Sequence, residues 1–247
     1  MIKSVSGKKK ITGNFDKILK KSKKESIDRI FLKSNIIEII KSIKENDDPK
    51  LREFLTGYLF IRLVTYFQVT MEELATSYIN SQKDFDLSTI FSGEWSIPIS
   101  KIPTILNQEL TNSAIVIASF NFQNLEETHK VYSKLFKLDF ISTIKDLGQA
   151  ADDEGIKERA KYLSDNWKVF ENIFIMRHKI AHEVTQPKTR GLDYVEFLAK
   201  LMQSFIESTI TLKLMIQGFH PGDLQNDQRI TRFLHKKFKE YEKKKTN

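Results

Sequence analysis

The sequence contains no cysteine, which removes disulfide frameworks, zinc ribbons, thiol catalysis and iron–sulfur clusters together. A reducing cytoplasm is the expected setting. Glycine and proline are scarce, 9 and 5 in 247 residues, so the chain has little of the turn chemistry that a many-stranded fold needs. No run of eighteen uncharged apolar residues occurs, and no membrane-spanning helix is expected. The Lys-rich first residues are not followed by an apolar stretch, so no secretory signal is expected either. The phosphate-cradling patterns GxGxxG and GxxxxGKS/T, the zinc pattern HExxH and the serine-hydrolase turn GxSxG are all missing. Nucleotide-loop, zinc-protease and serine-hydrolase chemistry therefore have no support.

What the sequence does have is charge and helical periodicity. An apolar content of 40% is too high for a disordered chain, and a chain of this length buries enough surface to fold without a covalent staple. The formal net charge is +8, held unevenly: residues 1–24 carry +8 and residues 229–247 carry +6, which leaves −6 for residues 25–228. A mildly acidic body thus carries basic ends, and net charge alone does not mark a nucleic-acid face. The ends read equally as RNA-holding arms and as solvated lysine tails.

Apolar residues recur at helical spacing, and the fold class is all-α. A loose basic arm over residues 1–14 leads to helix from about Phe15 to Lys44, closed by Asn46-Asp47-Asp48-Pro49, where a proline can start the next helix but cannot continue the last one. A long helix is expected from about Leu51 to Asn80, then an irregular excursion from Gln82 to Pro103 and helix over 104–118. Asn124 is placed to cap a helix through about Leu135, with Glu126 and Glu127 in its first turn. A short segment over 139–149 ends at Gly148. One long helix is expected from Glu154 to Glu183, another over 192–217 ended by Gly218, and a basic amphipathic helix over 224–245 with Ile230, Phe233, Leu234, Phe238 and Tyr241 on one side. The expected organisation is a basic arm and helix over 1–49, a helical domain over 50–217 and a basic C-terminal helix over 218–247.

His129, His220 and His235 stand alone and read as surface or capping residues. His178 and His182 lie one turn apart and share a helix face. A metal site there lacks a third ligand, because Glu183 points about 100° away from His182. No metal and no cofactor are expected. At about 100° per residue from Val169, Met176, Ile180, Ile173, Val184, Phe170, Ala181 and Phe174 fill an apolar arc. Arg177 falls inside that arc, and His178 and His182 fall just past its edge. An arginine so placed buries its stem and needs a partner for its head. Two alternatives follow: an ion pair with Glu72 or Glu73 beside two solvated histidines, or a working Arg–His constellation.

The run Arg177-His178-Lys179-Ile180-Ala181-His182 resembles the signature of the HEPN superfamily, an Arg, usually a polar residue after it, then a His after four to six intervening residues. It ends a long helix, a Pro-containing break follows, and another long amphipathic helix begins after that. The Tyr58-to-Tyr78 helix with Glu72 and Glu73, and the segment Asn124-Leu125-Glu126, are also similar to HEPN variants of prokaryotic defence and toxin systems. Arg229-Ile230-Thr231-Arg232-Phe233-Leu234-His235 is a second match to the spacing, but Ile230 stands where the family prefers a polar residue, in a basic terminal helix. The resemblance spans about residues 50–215, and His178 stands where other members often carry Asn.

The resemblance implies a HEPN-like helical bundle with helical basic N- and C-terminal extensions, acting as a homodimer. It also implies a metal-independent endoribonuclease in which Arg177 and His182 of both protomers share one cleft. Arg177 would hold the phosphate, His182 would move protons, and His178 would orient the pair or add a donor. The implied partners are an RNA substrate, a second copy and a cognate antitoxin or activator protein, with no membrane. A reading of another class is a HEPN-like module without catalysis that binds a partner, nucleotide or RNA. A third, a nucleic-acid binder acting only through its ends, predicts strong salt dependence lost on trimming 1–24 and 229–247.

Overall fold

The computed structural model describes residues 29–82, 85–86, 89–90, 112–182, 191–218 and 224–246. The expected basic arm, most of the 82–103 excursion, the start of the 104–118 helix, Pro187 and His220 lie outside the described residues. Among the described residues every regular element is helical: α1 (Arg29–Glu45), α2 (Pro49–Ser81), α3 (Asn112–Ala118), α4 (Leu125–Phe136), α5 (Phe140–Asp146), a 3-10 turn (Leu147–Gln149), α6 (Glu154–Asp165), α7 (Trp167–His182), α8 (Gly191–Ile216) and α9 (Leu224–Thr246). None of these is long and apolar enough to cross a membrane.

Local chemistry accounts for most boundaries. Asp48 caps α2, its carboxylate accepting from the Lys50 N–H, and Pro49 takes the first helical position, where its missing N–H costs nothing. Asn124 caps α4 by accepting from the Glu126 and Glu127 N–H groups. Asp139 and Asp153 do the same for α5 and α6. Gly218 closes α8 at φ 80°, its N–H bonded to the Met215 carbonyl, a backbone conformation natural to glycine. Gly148 has a different role from the helix stop its sequence implies. It sits inside the 3-10 turn, where a Cβ would come within 3.2 Å of the Lys157 Cα, so its small size lets the turn lie against α6.

The expected single helix from Glu154 to Glu183 is two helices. Asn166 divides them: its N–H and side-chain amide both bond the Tyr162 carbonyl, while its own carbonyl accepts from Val169 and Phe170. One residue thereby ends α6 and starts α7 without a proline or glycine.

The core is aromatic where the long helices meet. Phe205 of α8 is fully buried, with ring centroids 5.6 Å from Phe67 of α2, 5.7 Å from Phe140 of α5 and 4.8 Å from Phe170 of α7. Phe67 also meets Phe174 at 5.2 Å. Lys213 in the last turn of α8 and Gln217 just past it bond Ser77 and Ser81 of α2, so α2 and α8 run parallel, and α7 packs against both. At the other end of the bundle Lys44 of α1 pairs with Glu196 of α8 at 2.9 Å.

The C-terminal helix is part of this packing. Ile230, Phe233 and Leu234 of α9 are buried in the same cluster as α2, α7 and α8. Much of its positive charge is spent on the acidic body: Lys237 pairs with Asp146 at 2.6 Å, Lys244 with Asp139 at 2.6 Å, and Arg229 with Asp152. Residues 229–244 are therefore a packed helix rather than a loose tail, although Arg232, Lys236, Lys239 and Lys243 are exposed.

Candidate functional site

The segment that carries the Arg–His pattern is the last third of α7. Its beginning is pinned from below. The Trp167 indole N–H donates to the Glu171 carboxylate at 2.6 Å, and the Lys145 ammonium lies 4.0 Å from the Trp167 ring centre. Burial lowers the Lys145 pKa, with Glu171 and neighbouring aspartates pulling it back up. Phe170, Ile173 and Phe174 are buried, Val169, Met176 and Arg177 are half-buried, and Glu171, Asn172, Ile175 and Lys179 face solvent. The wheel started at Val169 holds for Val169, Phe170, Ile173, Phe174 and Met176, which lie in α7 past the Asn166 break; Val184 and the side chains of Ile180 and Ala181 lie outside the described residues.

Arg177 thus stands one turn beyond Ile173 and Phe174 on the flank of the buried stripe and is itself half-buried. Among the described residues no carboxylate pairs with it, so the expected alternative of a pair with Glu72 or Glu73 is not formed. Glu72 is instead buried within α2, where it accepts from the Gln68 amide at 2.8 Å, and Gln68 in turn accepts from Gln123. Beside it the Tyr132 hydroxyl donates to the Met71 carbonyl at 2.6 Å. Burial, and then the Glu72 charge, push that hydroxyl well above its ordinary pKa and keep it a donor.

His178 and His182 belong to the helical backbone of α7, and their side chains lie outside the described residues. Their placement on the turn after Arg177 follows from the helix; their contacts are not described. Among the described residues no three His, Asp or Glu side chains are grouped to hold a metal ion.

His129 and the second Arg–His match have plain structural accounts. His129 of α4 turns Nδ1 toward the Ile141 N–H at 3.4 Å and the Ser133 hydroxyl at 3.3 Å, and so helps satisfy the first turn of α5. Burial lowers its pKa, an effect that Asp139 opposes and Lys244 and Lys130 reinforce. In α9, Arg229 bonds the Gln149 carbonyl at 3.0 Å and the Asp152 carboxylate, and His235 is exposed. That arginine is engaged as a surface tether.

Sequence reasoning missed a set of rings beside the motif. The Tyr194 hydroxyl of α8 reaches the Met176 sulfur at 4.0 Å, next to Arg177. Tyr194 is followed by Phe197 at 6.3 Å, and Phe197 by Tyr162 of α6 at 6.2 Å, all three half-buried and packed against the core. Their signal was present as an i, i+3 aromatic pair at the start of a helix, but α6 joins the strip only in three dimensions.

A family model described as RiboL-PSP-HEPN matches residues 27–212, from the foot of α1 almost to the end of α8, and includes the Arg177–His182 segment. No curated protein and no solved structure matches the chain. HEPN domains are often RNases, and the all-helical architecture agrees with them. With the match covering most of the sequence, the chain belongs to the RiboL-PSP-HEPN family of the HEPN superfamily.

Proposed function

We propose that this protein is a metal-independent endoribonuclease working in a toxin–antitoxin or phage-defence setting. The observation that carries this reading is the half-buried Arg177, without a carboxylate partner among the described residues, in the matched Arg–His segment of the core helix. A guanidinium so held has a fixed stem and free donors, which suits a bidentate grip on a phosphodiester.

In the proposed reaction two copies of the chain bring their α7 ends together, so that Arg177 and His182 of both line one cleft. One His182 takes the proton of an RNA 2′-OH as that oxygen attacks the adjacent phosphorus. The P–O5′ bond breaks, and the His182 of the other copy supplies the proton that the 5′ oxygen needs. Arg177 offsets the charge gathering on the phosphoryl oxygens, and His178 orients the pair. The products are a 2′,3′-cyclic phosphate and a 5′-hydroxyl; DNA, lacking the nucleophile, is not cut.

The test is incubation of total RNA with wild type and with the Arg177→Ala, His182→Ala double variant in EDTA, followed by end-group analysis. Fragments ending in cyclic phosphate from the wild type alone are expected. Cleavage that requires a divalent ion, or persists in the double variant, overturns the mechanism. An intact fold that binds RNA or a partner protein without cutting identifies a non-catalytic HEPN module.

A further inference from the structure

We propose that the groove between α6 and α8, continued by the ring strip to the end of α7, is a nucleobase-binding track for single-stranded RNA. The proposal rests on the nuclease reading of the Arg177 end and assigns to it the form of its substrate. The groove encloses about 500 Å³ and takes one face of each helix: Glu158, Arg159 and Tyr162 from α6, and Lys200, Gln203 and Glu207 from α8. From Tyr162 the rings of Phe197 and Tyr194 follow at 6.2 and 6.3 Å, and the Tyr194 hydroxyl touches Met176, the residue before Arg177. The rings therefore run from an open polar groove to Met176, on the helix that carries Arg177, built from side chains none of which is fully buried.

The chemistry of the walls selects the occupant. Arg159 and Lys200 face Glu158 and Glu207, so the groove has no net charge and exerts little general pull on a polyanion. What it offers is ring faces and paired hydrogen-bonding groups. The Glu207 carboxylate is held by Arg159 at 3.6 Å and by the Gln203 amide at 2.8 Å, which fixes acceptors and donors side by side, the arrangement that reads a base edge. Bases of a duplex are stacked on one another and cannot lie on protein rings, whereas single-stranded bases can. An apolar peptide or helix would leave the Arg159, Glu158 and Glu207 groups unmatched.

The experiment measures binding apart from cleavage. A single-stranded twelve-nucleotide 2′-O-methyl RNA, which has no free 2′-OH to attack, is titrated against the full-length protein by fluorescence anisotropy. Tyr162→Leu and Phe197→Leu keep apolar bulk and remove the ring; each is expected to weaken binding about tenfold, with Phe197→Tyr restoring it. Lys200→Gln, at an exposed position, is expected to lower the slope of log Kd against log salt by about 0.7. A duplex of the same sequence is expected to bind without regard to the rings. Affinity changed by less than about twofold in both leucine variants, with helix content by circular dichroism equal to wild type, overturns the track, as does absence of binding by the wild type. Should the leucine variants unfold, Gln203→Ala decides: exposed and outside the core, it must weaken the oligonucleotide while leaving the melting temperature unchanged. Cleavage of RNA with no ring dependence removes the track and leaves the nuclease. Ring-dependent binding without cleavage does the reverse.

Discussion

Two helices of this protein carry an arginine followed by a histidine after four or five intervening residues, and they have different surroundings. In α9, Arg229 lies at the surface with its head bonded to Asp152 and to the Gln149 carbonyl, so its charge is used to fasten the C-terminal helix. In α7, Arg177 grows out of a buried stripe, and no carboxylate among the described residues takes its charge. Spacing along a helix tells which side chains share a face; the neighbouring elements decide whether a guanidinium is occupied. An arginine already paired on the surface is a strut. One held by its stem and left with free donors is equipped to take an anion.

Ways to break this comparison can be ordered by size. Arg177→Ala or His182→Ala is expected to lower RNA cleavage by roughly 100-fold or more, the scale on which removal of one donor to a developing charge is felt. Arg229→Ala and His235→Ala are expected to leave the rate within about twofold; equal losses from the two helices would show that the motif has been misassigned.

The next effect is on the fold. Phe170→Ala empties the ring cluster that carries α7, including the stacked contact with Phe205, and should cost about 3–5 kcal/mol in urea denaturation. Phe233→Ala, at the edge of the core in α9, should cost distinctly less. If the α9 substitution is the worse of the two, the C-terminal helix is no peripheral brace.

Smaller still are the charges that fasten α9. Lys237, 5% exposed as a residue and paired with Asp146 at 2.6 Å, is the most buried of them, and Lys237→Ala is expected to cost about 1–3 kcal/mol because it removes a buried stem together with a charge-assisted bond. Arg229→Ala removes an exposed pair and should cost no more than about 1 kcal/mol. Thermal melts of the two variants separate these values.

The smallest effect comes from pH. His129 has its pKa lowered by burial and works as a neutral acceptor at the α4–α5 junction. A histidine with a depressed folded pKa takes up its proton more readily when unfolded. Its contribution is therefore complete above its unfolded value near 6.5, declines as pH falls below that, and levels off below the folded pKa. Burial raises the neighbouring Asp139 carboxyl, but the Lys244 ammonium and the Ser142 N–H outweigh it and hold the carboxyl below its ordinary value. Its contribution is lost only in more acidic solution, as pH falls below about 4. Melting temperature should thus drop in two stages. His129→Gln, which keeps an acceptor without a titrating group, should flatten the first stage alone.

Several of these features were legible in the residues. Asp48-Pro49 and Asn124 mark helix starts through bonds to N–H groups two or three positions away, and the structure places α2 and α4 there. The apolar stripes of α8 and α9 and the place of Arg177 in the α7 stripe follow from the helical repeat. The division at Asn166 was not legible, since apolar residues continue at helical spacing on both sides and an asparagine is common enough within helices. It ends α6 by bonding back to Tyr162 once α7 has core of its own to cover. The role of Gly148 was misread for a related reason: its small size answers to Lys157 across the turn, a neighbour made by folding.

What the sequence by itself determined is therefore whatever depends on bonds and faces within a few residues: the all-helical class, the caps, and an arginine and two histidines on successive turns. Only the tertiary structure decided that Arg229 meets Asp152 while no described carboxylate meets Arg177, that α9 shares the core, and that Tyr162 lines up with Phe197 and Tyr194. Those relations join residues distant along the chain, and side-chain packing between helices, which local periodicity does not encode, sets which of them touch.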